Sequence, residues 1–183
     1  MERLPGPIVI QLTNTFTTLG IDLFIVNDRK TKLGDWSFKN GRHIITINNN
    51  LVPEQFFMTL VHELAHATTW NKYMNSVKPH GKEWKQEFRS HMLPLLTGNF
   101  SPEVEEALRD HMKNPSACSG RSLALSRAIN QESMFVEDIP FGITFKVKNG
   151  LLLEKIEKKR TRWLCKVPTT GERFIVPGSL EAF

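Results

Sequence analysis

The chain has 183 residues, of which 40% are hydrophobic and 23% are charged. These fractions exclude wholesale disorder, and the length allows one domain of ordinary size with at most a small appendage. The two cysteines, Cys118 and Cys165, form no Cys-x-x-Cys pair, which excludes a disulfide scaffold and a cysteine-based zinc ribbon. This cysteine usage fits a reducing cytosol, so we expect a cytoplasmic protein.

Residues 4–21 carry no charged side chain, a pattern that a membrane span or a signal peptide would share. However, two prolines, Gln11, Asn14 and four threonines interrupt the apolar run. We therefore expect neither a membrane span nor a signal peptide, and no membrane partner.

The first predicted element is an amphipathic helix that begins near Pro7. Apolar residues recur at helical spacing over residues 8–19, and Gly20 is typical of a helix end. The sequence pattern then changes to short β-prone runs at residues 23–26, 36–38 and 43–47. Asn40-Gly41, between the last two runs, predicts a hairpin.

Helices are predicted next, over residues 53–72, 82–91 and 102–113. Pro53 suits the first position of a helix, and Ser101 is a typical N-cap for the last of the three. The order of helix, small sheet and further helices predicts an α+β fold.

The last third of the chain differs in character. Residues 114–140 contain Asn-Pro and Ser-Gly pairs but also helical spacing, so both a linker and a helix remain open. Strands are predicted at residues 143–148, 162–167 and 173–176, which indicates a small antiparallel β unit. We therefore divide the chain into a domain at 1–113, a linker with helical potential at 114–140 and a β unit at 141–183.

The net charge of +5 arises entirely in this β unit. A localised positive charge raises the question whether the unit binds a negatively charged partner. From residue 142 onward nine basic residues outnumber four acidic ones. The basic residues are Lys146, Lys148, Lys155, Lys158, Lys159, Arg160, Arg162, Lys166 and Arg173. Together with Phe145, Trp163 and Phe174 they suit a phosphate backbone and stacked bases. A solvated face of a small β unit has the same composition, so DNA binding is one of two interpretations.

The sequence His62-Glu63-Leu64-Ala65-His66 lies on the second predicted helix. Residues four apart on a helix present their side chains side by side, so the two imidazoles can bind one zinc ion. Glu63 lies beside them, where its carboxylate can act as general base on a water molecule. The alternative, a histidine pair that is merely hydrogen-bonded, remains open at this point.

A catalytic zinc site needs a third protein ligand and an open position for water. His80, followed by Gly81 in a polar segment, is the preferred candidate. Glu83 and Glu87 are alternatives, because a glutamate on a following helix serves this purpose in other zinc peptidases.

The sequence His-Glu-Leu-Ala-His-Ala at 62–67, followed by His80-Gly81-x-x-Trp84, resembles the SprT-like metallopeptidases. The resemblance covers roughly residues 7–97. It implies a zincin-like metallopeptidase domain with His62, His66 and His80 as zinc ligands and Glu63 as catalytic base. Many SprT-like proteins carry a cysteine-rich zinc ribbon after the peptidase unit, and this chain departs from that pattern because its tail offers only Cys165.

The resulting functional hypothesis is a zinc-dependent endopeptidase that acts on protein substrates. The resemblance also implies DNA-associated or DNA-crosslinked proteins as candidate substrates. DNA itself is the expected partner of the basic C-terminal unit. Residues 43–48 are the predicted edge strand against which a substrate peptide lies extended. The alternative hypothesis is a nucleic-acid-binding or regulatory protein with a structural zinc and no peptidase activity.

Overall fold

The computed structural model describes residues 4–115 and 122–183. The chain forms two compact units, Met1–Ala117 and Cys118–Phe183. Both contain helices and strands, so the predicted α+β class is confirmed. Across the described ranges, no helix has the combination of length and apolar character that crossing a membrane requires.

The first unit begins with helix α1 (Gly6–Leu19), which Gly20 ends in a left-handed conformation, as predicted. Strands β1 (Ile21–Val26), β2 (Gly34–Lys39) and β3 (Arg42–Asn48) form a sheet in the order β1-β3-β2. β1 runs parallel to β3, whereas β2 and β3 are an antiparallel hairpin. Asn40 and Gly41 both have positive φ at its turn, as the Asn-Gly sequence predicts.

The strand order corrects one prediction. The sequence predicts an edge strand at residues 43–48, but β3 has β1 on one side and β2 on the other. β3 is therefore the central strand of the sheet, and its residues Ile45 and Ile47 are fully inaccessible to solvent. The edge beside the second helix belongs to β2 instead, because β2 has only β3 as a neighbour within the described strands.

Three helices complete the first unit: α2 (Pro53–Tyr73), α3 (Lys82–Met92) and α4 (Pro102–Lys113). All three agree with the predicted bounds to within one or two residues. α2 is the central element, because most of its circumference is buried, including Phe57, Leu60 and Leu64. At the start of α4 the Ser101 hydroxyl accepts a hydrogen bond from the Val104 backbone N–H, as expected for an N-cap.

In the described part of the second unit, the first element is helix α5 (Leu123–Ile129). Strands follow it: β4 (Met134–Phe135), β5 (Thr144–Lys146), β6 (Leu152–Lys159), β7 (Arg162–Lys166), β8 (Arg173–Pro177) and β9 (Glu181–Ala182). β5 to β8 form an antiparallel sheet in chain order, and β4 pairs with β9. The sequence predicts β5, β7 and β8 but not β6, which is the longest of the described strands.

Residues 122–140, part of the predicted linker segment, belong to the second unit in the structure. They contain α5, and Phe135, Val136 and Ile139 are buried, with the last two in the same apolar cluster as Phe145. This burial needs partners from β5 to β9, which is why spacing within the segment could not reveal it. Residues 116–121 of the predicted linker lie outside the described residues.

Candidate metal centre

Two elements supply the three histidines of the predicted site. His62 and His66 lie one turn apart on α2, and His80 lies at the end of the loop between α2 and α3. His80 has a positive φ of 56°, which few non-glycine residues adopt and which turns the chain so that α3 can start at Lys82.

The Nε2 atoms of the three histidines converge. The distances are 3.3 Å between His62 and His66, 3.0 Å between His66 and His80, and 3.1 Å between His80 and His62. A tetrahedral zinc site with Zn–N bonds of about 2.0–2.1 Å has its nitrogens about 3.3–3.4 Å apart. Of the described histidine, cysteine and acidic residues, these three form the one group that could hold a metal ion.

Three neutral imidazoles cannot satisfy this triangle by hydrogen bonding among themselves. Each Nε2 atom carries either a proton or a lone pair, so at least two of the three facing atoms are in the same state. Two donors or two acceptors then face each other, which is unfavourable. A cation that accepts a lone pair from each nitrogen removes the conflict, so the donor set fits a metal ion better than a hydrogen-bonded cluster.

Burial favours the metal-binding form of these side chains. Desolvation, together with the neighbouring histidines, lowers the pKa of His62 to about 3 and that of His66 to about 4. Desolvation also lowers the pKa of His80. The imidazoles are therefore neutral at physiological pH and keep the lone pairs that a metal ion requires.

Aromatic rings hold the histidines in place. Trp84 on α3 packs against all three, with ring centroids 4.7 Å from His62, 5.6 Å from His66 and 4.8 Å from His80. Trp36 on β2 stacks on His66 at 6.0 Å, with an interplanar angle of 16°. Both histidines on α2 therefore pack against aromatic rings of neighbouring elements.

Glu63 is buried next to His62 on α2, and its carboxylate lies close to Gly34 and the Trp36 backbone of β2. Burial, and secondarily the negative charge of Asp35, raises the pKa of Glu63 to about 8. The positive charges of Arg29 and Lys32 and the backbone N–H of Trp36 oppose this shift. A nearby divalent cation would oppose this shift and favour the ionised carboxylate.

Gly34 allows β2 to approach this carboxylate closely. A Cβ atom at position 34 would lie 2.8 Å from Oε1 of Glu63 and 2.5 Å from Cγ2 of Thr59. Real Cβ atoms do not tolerate such distances, so only glycine fits here without displacing its neighbours.

The alternative third ligands do not join the cluster. Glu87 is buried and accepts a hydrogen bond from the Lys72 ammonium at 2.7 Å, which fixes it as an ion pair. Glu83 lies near the exposed Lys82. Neither belongs to the group of side chains that could share a metal ion.

Sequence reasoning missed the contribution of Trp36. Its indole N–H donates to Nδ1 of the buried His43 at 3.1 Å, which places the His43 proton on Nε2. The hydrogen bond and the stacking on His66 are contacts between elements, and a tryptophan in a short β-prone run gives no local sign of either.

The family of the chain follows from comparison with known families. Residues 10–104 match the model of the SprT-like family, a stretch that includes α2, the loop with His80 and α3 and spans just over half of the chain. No curated protein matches the sequence. SprT-like proteins are generally of metallopeptidase type, which agrees with three histidines that could hold a metal ion. The chain therefore belongs to the SprT-like family.

Proposed function

We propose that this protein is a zinc-dependent endopeptidase of zincin-like architecture. The observation that supports the proposal best is the convergence of three Nε2 atoms within 3.3 Å of one another, next to a buried glutamate. In this proposal His62, His66 and His80 are the zinc ligands. Glu63 is the catalytic base.

Zinc bound there would polarise the scissile carbonyl and lower the pKa of a water molecule in the open fourth position. Glu63 takes up the proton of the attacking water on its carboxylate and delivers it to the leaving amine. The position of Glu63 supports this role, because its buried carboxylate follows His62 directly on the same helix and lies against the edge strand β2. Gly34 keeps the carboxylate within reach of the backbone of β2.

The substrate peptide would lie along β2. This strand is at the edge of the sheet, next to α2, and its Trp36 interacts with Glu63 through its backbone and with His66 through its ring. Main-chain pairing with an edge strand binds a peptide in extended form without requiring a particular sequence. β2 thus takes the role that the sequence predicts for residues 43–48.

The second unit is the candidate contact for DNA, through phosphate groups rather than bases. Lys158, Lys159 and Lys166 pair with glutamates, and Lys155 is buried. Five basic side chains have no ion pair with any described residue: Lys146, Lys148, Arg160, Arg162 and Arg173. They suit non-specific attraction to a polyanion.

The aromatic part of the DNA hypothesis needs correction. Phe145 and Trp163 are 4% and 5% exposed and belong to the core of the second unit, and Phe174 packs against the same core. Phe145 and Trp163 therefore have no free ring face on which bases could stack, and Phe174 is only partly accessible. The remaining proposal is an endopeptidase that acts on DNA-associated proteins and that contacts the DNA through its basic side chains.

The test of the peptidase compares the wild type with Glu63→Gln. We expect each protein to bind about one equivalent of zinc, because Glu63 is not a ligand in this proposal. Cleavage of a DNA-bound protein substrate should fall by at least about 10²–10⁴-fold in the variant, the usual contribution of a general base. If both proteins hold zinc and neither cuts with or without single-stranded DNA, a regulatory protein with structural zinc is the better description.

The test of DNA binding uses Arg160→Gln combined with Arg173→Gln, with Lys30→Gln in the first unit as control. Lys30 is also exposed. We expect weaker single-stranded DNA binding and a shallower salt dependence for the double variant only. The log–log slope should change by about 0.7 for each phosphate group that the variant no longer neutralises. Unchanged affinity and slope would contradict the proposed role of the second unit.

A further inference from the structure

A cavity of about 110 Å³ opens directly beside two of the three histidines. Its lining includes His66, His80, Trp36 of β2 and Trp70 of α2. Val77 and Pro79 of the loop between α2 and α3 also line it. The cavity lies entirely in the first unit and is separate from the Glu63 side chain, which is not among its lining residues.

Its lining is mainly apolar. Trp36, Trp70, Trp84 and Val77 present hydrocarbon surface, while the exposed side chains of Asn75 and Lys78 lie on the loop that forms its rim. The indole nitrogens of Trp70 and Trp84 are shielded from solvent and have no hydrogen-bond partner in the described part of the chain. A ligand group in this cavity would gain by burial of apolar area rather than by polar contacts.

The size of the cavity limits what can enter it. An apolar protein cavity of about 150 Å³ accommodates one benzene molecule. A cavity of about 110 Å³ therefore suits a branched aliphatic side chain such as that of leucine, isoleucine or valine. An indole exceeds this volume, and a glycine or alanine would leave the apolar surface uncovered.

The position of the cavity relates it to a bound peptide. Trp36 is part of the edge strand β2 and also lines the cavity, and His66 lines the cavity and belongs to the histidine cluster. A peptide that pairs with β2 and presents its carbonyl to the histidine cluster consequently has the cavity beside the bond to be cut. The side chain of a residue flanking that bond is the group within reach.

We propose that this cavity is a selectivity pocket that takes an aliphatic side chain of the residue flanking the scissile bond. The inference rests on the proposed peptidase function and adds a substrate preference to it. The contacts that would create the preference come from Trp36, Trp70 and Val77. A difference of one methylene group in such a pocket changes kcat/KM by about 10-fold to 200-fold.

The first measurement is the cleavage pattern of the zinc-loaded protein on a mixture of unfolded proteins, read by mass spectrometry. We expect leucine, isoleucine or valine to be enriched at one fixed position next to the cut. Synthetic peptides that differ only at this position should then give at least about tenfold higher kcat/KM for leucine than for glycine or tryptophan. Equal rates for all three residues would overturn the pocket and leave the peptidase intact.

The second measurement does not depend on cleavage. N-acetyl-leucinamide, N-acetyl-glycinamide and N-acetyl-tryptophanamide are titrated into zinc-loaded Glu63→Gln, with tryptophan fluorescence as the signal, since Trp36, Trp70 and Trp84 line the cavity. We expect the leucine amide to bind at least about tenfold more tightly than the other two. Selective binding without any cleavage in the wild type would contradict the peptidase and support the pocket.

A pair of matched variants links both measurements to the cavity. Val77→Phe fills the space from the loop side and should abolish the preference for leucine in cleavage and in binding. Val52→Phe makes the same change at an exposed position, at the opposite end of α2 from the loop, and should leave both preferences unchanged. A Val77→Phe protein that folds, holds zinc and still prefers leucine would overturn the proposal.

Discussion

Gly34 is a single residue on which the position of Glu63 depends. Thr59 is the residue nearest to a Cβ atom added at position 34. It cannot rotate away freely, because its hydroxyl donates to the backbone oxygen of Gln55 at 2.7 Å and its side chain is buried. A methyl group at position 34 must therefore move either the strand or the glutamate. The two outcomes have different signatures, since one affects stability and the other affects catalysis.

We expect Gly34→Ala to lower stability by about 1–3 kcal/mol, as overpacking of a tight contact does. It should also lower kcat more strongly than it raises KM, because the base is displaced, while zinc content stays near one equivalent. Urea unfolding, metal analysis and steady-state kinetics test these three points. The control is Gly6→Ala, where an added Cβ meets no atom within 4 Å in the first turn of α1. That change should be neutral or stabilising by up to about 1 kcal/mol.

His91 is a second residue with a measurable consequence, through pH. Burial lowers its pKa, and the nearby charges of Glu87 and Lys72 act in opposite directions. The folded state thus keeps His91 neutral at a pH where the unfolded chain, with an ordinary pKa near 6.5, takes up a proton. Its contribution to stability is present above pH 6.5 and is lost as the pH falls below that value.

We therefore expect the free energy of unfolding to fall less between pH 7 and pH 5.5 in His91→Gln than in the wild type. Glutamine can keep a hydrogen bond to the Thr68 hydroxyl, which lies 3.2 Å from Nε2 of His91. Urea denaturation at the two pH values measures the difference. The same fall in both proteins would show that His91 is solvated in the folded state.

At the scale of elements, the sequence pattern predicts the helices and strands whose formation depends on interactions between residues close in the chain. The helices were predictable because apolar spacing, Pro53, Ser101 and Gly20 act within one or two turns. The pairing of His62 and His66 was predictable for the same reason, since both lie on α2. His80 lies 14 residues beyond His66. The local pattern left Glu83 and Glu87 open as alternatives, and the resemblance selected His80. The order of strands was not predictable, because a parallel β1–β3 pair is a contact between distant segments.

β6 shows a different reason for a missed element. Its sequence Leu-Leu-Glu-Lys-Ile-Glu-Lys-Lys is rich in charge and carries a bulge at Lys155 to Glu157, which interrupts the alternation expected of a strand. The buried residue Lys155 is also hidden from sequence reasoning. Its partners are backbone oxygens, and these have no signature in the sequence.

α3 owes its position to Trp84, which is 1% exposed and lies between the histidines and Phe88. We expect Trp84→Ala to cost about 3–5 kcal/mol and to weaken zinc binding, because the truncation leaves a large cavity behind the ligands. Trp84→Phe should cost much less, since the indole N–H has no partner among the described residues. Urea unfolding and competition with a zinc chelator distinguish the two. Equal losses in both variants would contradict this account of the packing.

At the scale of the whole molecule, Lys155 joins the early part of the second unit to its sheet. Its ammonium group donates to the backbone oxygens of Val136 at 2.7 Å, Glu137 at 3.1 Å and Ile139 at 2.6 Å. It also lies 3.6 Å from the ring centroid of Trp163. One side chain thus satisfies three carbonyl groups of a segment outside the main sheet.

We expect Lys155→Met to destabilise the second unit by at least about 2 kcal/mol, because buried carbonyls lose their donor. Hydrogen exchange should rise in residues 134–183, while zinc content and cleavage of a short peptide stay unchanged, since the metal centre lies in the first unit. Lys159→Met is the control, because this lysine is exposed in an ion pair with Glu157, and should change stability by less than about 0.5 kcal/mol. Faster hydrogen exchange throughout the first unit would contradict the expectation that the variant destabilises the second unit only.

The loop that carries His80 connects the metal centre to the proposed selectivity pocket. His80 is separated by 14 residues from His66, and the intervening segment includes Val77 and Pro79 of the cavity wall. A metal ion held by both histidines would act as a cross-link that closes this loop. Thermodynamic linkage then makes the effect mutual. An aliphatic amide in the cavity should raise the affinity for zinc, measured at equilibrium by competition with a chelator. Zinc should raise the affinity for the amide by the same factor.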